Sequence, residues 1–109
     1  MAYNQELELR IDNLIIESIN IQKKKMFGGI AYMLNGNMCF GIHKNDLIVR
    51  TSKEIAEKLL ENNFIRPFDI TRRPMKGWIM VSPEYLRNDY KLEEMVQIAR
   101  AFVESLPPK

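Results

Sequence analysis

Met26-Phe27-Gly28-Gly29-Ile30-Ala31-Tyr32-Met33-Leu34-Asn35-Gly36-Asn37-Met38-Cys39-Phe40-Gly41-Ile42-His43 is the stretch whose reading decides the fold. Two adjacent glycines exclude helix, since each costs ~1 kcal/mol relative to alanine in a helix interior. The rest reads as strand, tight turn and strand. The turn leaves two registers open. A two-residue Asn35-Gly36 turn puts Ala31 and Met33 on the face of Met38, Phe40 and Ile42, with Ile30 and Tyr32 on the other face beside Cys39 and Gly41. A three-residue Leu34-Asn35-Gly36 loop with Gly36 left-handed shifts the pairing by one. Ile30 and Tyr32 then join Met38, Phe40 and Ile42. The second register gathers more large apolar area on one face, at ~25 cal/mol per Å² buried, and is the one expected. Lys44-Asn45-Asp46 turns the chain into Leu47-Ile48-Val49-Arg50, completing a three-stranded meander.

Upstream, Leu7, Ile11, Leu14, Ile15 and Ile19 form one stripe at helical period, with Asn4 placed to cap it. Lys23-Lys24-Lys25 leads from that helix to the glycines. Downstream, Ser52 caps a short helix over residues 53–61, with Ile55, Ala56, Leu59 and Leu60 as its inner face. Residues 64–74 are irregular, broken by Pro67 and Pro74. Trp78-Ile79-Met80-Val81 is a fourth strand. Ser82-Pro83 starts another helical segment. Leu92, Met95, Val96, Ala99, Phe102, Val103 and Leu106 trace the strongest helical stripe, ended by Pro107-Pro108. The fold expected is α+β: an antiparallel sheet of about four strands, the meander plus a later strand, with N-terminal, middle and C-terminal helices.

A chain of 109 residues, 46% hydrophobic and 28% charged, fits a single domain, residues 1–109, with an ordinary soluble composition. The net charge of +2 is uneven: residues 22–83 carry +6, residues 1–21 carry −3 and residues 84–109 carry −1. Such asymmetry either makes a polyanion-binding face or is offset when the terminal helices fold back. No stretch reaches the ~20 apolar residues that cross a bilayer, and no signal peptide opens the chain. One cysteine, Cys39, cannot form an intrachain disulfide. A cytoplasmic protein without a membrane partner is expected.

The chemistry-bearing residues are sparse. Cys39 and His43 stand four apart in one strand, which shares a face but separates them by ~13 Å. That is too far for a nucleophile–base pair, and the two alone cannot build a structural zinc site. Gly28-Gly29 lacks the Lys-Ser/Thr of a phosphate loop and the three-glycine spacing of a dinucleotide site. Two basic clusters, Lys23, Lys24 and Lys25, and Arg72, Arg73 and Lys76, would bind nucleic acid if they converged. Trp78 near the second cluster would stack a base or, as a core residue, anchor its strand.

Met26-Phe27-Gly28-Gly29 with its hairpin, and Arg73-Pro74-Met75-Lys76-Gly77-Trp78 further on, give a chain that resembles the N-terminal domain of the TfoX/Sxy family over about residues 10–106. Members of that family are associated with regulation of natural competence in bacteria. The resemblance implies a compact α+β domain with an antiparallel sheet. It implies a stand-alone N-terminal-domain protein, because the family's full-length regulators carry a further helical domain. It supplies no catalytic residue, metal ligand or cofactor. Met26, Phe27, Gly28, Gly29, Pro74, Met75, Lys76, Gly77 and Trp78 are expected to be structural. The function expected is a non-enzymatic regulatory module with a protein partner, linked to competence or transcription and able to form a homodimer. The alternative is a nucleic-acid-binding module using Lys23, Lys24, Lys25, Arg72, Arg73 and Lys76.

Overall fold

The computed structural model describes residues 3–16, 20–26, 28–68 and 75–108. Among these residues ten elements follow one another: α1 (Gln5–Leu14), β1 (Ile21–Met26), β2 (Gly29–Leu34), β3 (Asn37–His43), β4 (Asp46–Arg50), α2 (Lys53–Leu59), β5 (Ile65–Pro67), β6 (Trp78–Val81), α3 (Pro83–Leu86) and α4 (Asp89–Glu104). The class is α+β, with one antiparallel sheet of six strands in the order β1-β2-β3-β4-β6-β5. The meander and β6 are the four strands read from the pattern. β1 is a strand where the sequence shows only a basic run, because Gln22-Lys23-Lys24-Lys25 has no apolar alternation. β5 lies in the stretch expected to be irregular, being three residues long and ending on Pro67.

The first hairpin corrects the expected loop. Leu34 pairs with Asn37, so the turn is the two-residue Asn35-Gly36, with φ of 53° and 84° as a type I′ turn requires. Yet Ile30 pairs with Ile42 and Tyr32 with Phe40, which puts these four on one face as the three-residue loop would, through different pairs from the Tyr32–Met38 and Ile30–Phe40 that loop demands. A bulge reconciles the two. The register shifts between Tyr32 and Met33, leaving Cys39 as the extra residue on β3. Ile30, Tyr32, Phe40 and Ile42 therefore share the main core, while Met38 is displaced to the opposite face beside Ile48, Met80 and Phe68. The bulge also turns Cys39 into the main core. Strand alternation from Ile42 puts His43 on the other side, so the two do not share a face as expected.

The helices cover one side of the sheet. Leu92, Met95, Val96, Ala99 and Val103 of α4 are buried against it, together with Leu7 and Ile11 of α1. Two of the expected caps form: Asn4 Oδ1 accepts from the Leu7 amide at 2.9 Å, and Ser52 Oγ from the Ile55 amide at 3.2 Å, whereas Ser82, the expected cap ahead of Pro83, makes no side-chain cap bond to α3. Ala56 of α2 is buried as expected, but Ile55 is 42% exposed, since α2 ends after two turns and shows the sheet a narrow stripe. Ile19 lies outside the described residues. Among the described residues, no helix is long and apolar enough to cross a membrane.

Candidate functional site

The second sequence motif is built on a turn. The Trp78 amide donates to the Met75 carbonyl at 3.1 Å, and Gly77 has φ of 88°. A negative φ at Lys76 followed by a positive φ at Gly77 is the sign pattern of a type II turn. Glycine is required at 77 for a second reason. The Thr51 amide donates to the Gly77 carbonyl at 2.8 Å, and a Cβ at 77 would sit 2.7 Å from the Thr51 carbonyl oxygen. The turn is thus pressed against the junction of β4 and α2. It holds Lys76 outward and delivers Trp78 into β6.

This close approach creates a groove of about 210 Å³ between α2 and the turn. Ala56, Leu60, Pro67 and Trp78 give it an apolar floor, and Lys53, Glu57 and Lys76 stand at its rim. The Trp78 ring is flanked by two side chains. The Arg50 guanidinium lies 5.2 Å from its centroid and the Phe68 ring 5.8 Å away. Arg50 also reaches the Phe102 ring of α4 at 5.8 Å, which ties the groove wall to the core helix. No metal-ligating cluster occurs among the described residues.

The first motif lies elsewhere. Met26 ends β1 and is 37% exposed, Gly28 turns the chain with φ of 72°, and Gly29 opens β2. Phe27 is outside the described residues, as are Arg72, Arg73 and Pro74. From β1 to β6 there are four strand spacings, roughly 19 Å at ~4.8 Å each. Lys23, Lys24 and Lys25 are therefore separated from Lys76 by most of the width of the sheet.

Lys23 is also occupied. Its Nζ lies 2.7 Å from Glu8 Oε2 and 2.8 Å from Asp12 Oδ2, while the buried Tyr32 hydroxyl donates to Asp12 Oδ1 at 2.8 Å. Tyr3 completes the network by donating to Glu8 at 3.0 Å. Desolvation pulls the Lys23 pKa down, but its bonds to Asp12 and Glu8 raise it on balance. Burial, and then the bond to Asp12, push the Tyr32 hydroxyl well above its ordinary range. The carboxylates of the N-terminal helix thus fold back on the basic middle at this point. Charge counting along the chain admits this arrangement but does not name the partners. Lys24 and Lys25 remain exposed on β1.

The nucleophile candidate is closed off. Cys39 is fully buried, and burial pushes its thiol up to about 12, where it stays protonated at neutral pH. His43 is half-buried at the end of β3, and neither residue lines the groove.

A family model, the TfoX N-terminal domain, matches residues 15–103. Comparison with curated proteins and with solved structures returned no match.

Proposed function

The chain belongs to the TfoX N-terminal domain family, and from that premise we propose that it is a non-enzymatic protein-interaction module whose docking surface is the groove between α2 and the Met75–Trp78 turn. The observation that carries this reading is the coincidence of motif and groove. Met75, Lys76, Gly77 and Trp78 all line it, although a turn serving only to link two elements needs the glycine and little else. Met75 is 38% exposed and Ile55 of α2 is 42% exposed, which leaves further apolar area in water. The thiol and imidazole that would serve catalysis stand outside the groove. The reading includes a partner from a regulatory process, competence or transcription, and action in the cytoplasm; the family membership supports the first and the single cysteine the second.

The test is a photo-crosslinking amino acid placed at exposed Glu57, on the groove rim, with exposed Glu93 of α4 as the control position. In living cells the Glu57 position is expected to give one reproducible adduct that Glu93 does not. Leu60→Asp, at a half-exposed groove residue, is expected to remove the adduct while the protein stays folded. Equal adducts from both positions, or an adduct indifferent to Leu60→Asp, would reject the groove as the docking surface.

A further inference from the structure

We propose that the groove receives a partner segment carrying one large apolar side chain flanked by carboxylates; this rests on the docking reading above and names the chemistry of the occupant. Size argues first. At about 210 Å³ the groove falls below the ~300–1,000 Å³ of small-molecule sites, so it suits a single anchoring side chain. The floor argues second. Ala56 is 4% exposed, the turn is fastened to Thr51, and the Trp78 ring packs beside Arg50 and Phe68. Such a wall is preorganised, and an inserted side chain has little to reorder.

Charge decides the flanks. Arg10 is paired with Asp89, Lys23 with Glu8 and Asp12, Arg66 with Asp46, and Arg100 with Glu104. Exposed Lys53 and Lys76 have no carboxylate within ion-pair distance among the described residues, and one acid, Glu57, shares the rim with them. The rim is therefore net positive over an apolar floor, which complements an acidic segment. A nucleic acid fits less well. Among the described residues the groove offers two lysines, which neutralise few phosphates.

The chain has a single tryptophan, so Trp78 fluorescence reads the groove directly. The probes are synthetic peptides with a central leucine between aspartates, the same peptide with serine for leucine, the same peptide with lysine flanks, and a short single-stranded DNA. The Asp-Leu peptide alone is expected to change the emission. Its affinity should fall roughly tenfold in Lys53→Glu/Lys76→Glu, two exposed positions whose reversal should leave the melting temperature in place. It should also weaken as salt is raised. Equal binding of the lysine-flanked peptide, an affinity unchanged by the charge reversal, or a response to DNA and not to the Asp-Leu peptide would overturn the inference. If no peptide alters Trp78 while the Glu57 adduct persists in cells, the acidic chemistry is wrong and docking stands. If that adduct is also missing, both fall.

Discussion

Gly28 and Gly29 are adjacent, and glycine is needed at each for a different reason. Gly28 has φ of 72° with open space where a Cβ would point, so only its dihedral is special. At Gly29 a Cβ would run into the Ile42 carbonyl oxygen of β3, so the need there is for no side chain at all. Gly28→Ala is expected to cost about 1–2 kcal/mol through left-handed strain, and Gly28→Asn less, because asparagine tolerates that region. Gly29→Ala is expected to exceed ~3 kcal/mol, since β2 and β3 must separate locally to admit the methyl group. Urea unfolding of the three variants checks the order, and equal losses for both alanines would contradict it. The sequence shows that two glycines matter at this point. It cannot show which serves the turn and which serves the neighbour strand, because Ile42 is brought there by the fold.

Elements were legible where one period governed them. The Trp78–Val81 strand appears with the boundaries its side chains imply, and the α4 stripe appears from Leu92 to Val103, with the helix ending at Glu104 ahead of Leu106. β1 was hidden because its strand character comes from pairing with β2, while its own residues are polar on both faces. The bulge at Cys39 had no local signature, and through a turn of the other length it delivered Ile30, Tyr32, Phe40 and Ile42 of the expected core set while sending Met38 to the opposite face. Half of the groove was visible as Met75, Lys76, Gly77 and Trp78. Its α2 half was not, since Lys53, Ala56, Glu57 and Leu60 join it only through tertiary packing. The docking of α1 is equally nonlocal and can be weighed. Tyr32→Phe removes a buried hydroxyl that donates to the Asp12 carboxylate, and about 1.5–3 kcal/mol of stability should go with it. Lys23→Met breaks two ion pairs, but the Lys23 side chain is 39% exposed, so about 0.2–1 kcal/mol is expected. Urea unfolding should rank Tyr32→Phe above Lys23→Met, and hydrogen exchange should quicken in α1 before α4. A larger loss for Lys23→Met would mean that the ion pairs, and not the buried hydroxyl, hold the helix.

For the whole molecule, these buried groups set a stability that depends on alkaline pH. Burial raises the Cys39 thiol from 9.0 to about 12. Burial, then the Asp12 hydrogen bond, raise the Tyr32 hydroxyl above its ordinary 10.0. In both cases the folded chain holds the protonated form after the unfolded chain has begun to ionise. Between the unfolded and folded pKa values the native state therefore binds more protons, and stability falls as pH rises. Lys23 acts in the same direction, because its raised pKa belongs to an ion-paired state that is lost once the ammonium deprotonates. The urea midpoint should decline from about pH 9 upward, with each fully coupled group adding ~1.4 kcal/mol per pH unit. Cys39→Ala is expected to lower stability at neutral pH by opening a small void. It should also remove one group's share of the slope between about pH 9 and 10, where the thiol ionises before the phenol. In the native protein at pH 8 a disulfide reagent should leave Cys39 unlabelled until urea unfolds the chain. Prompt labelling under native conditions, or a slope unchanged by Cys39→Ala, would show that the bulge on β3 opens the core to water.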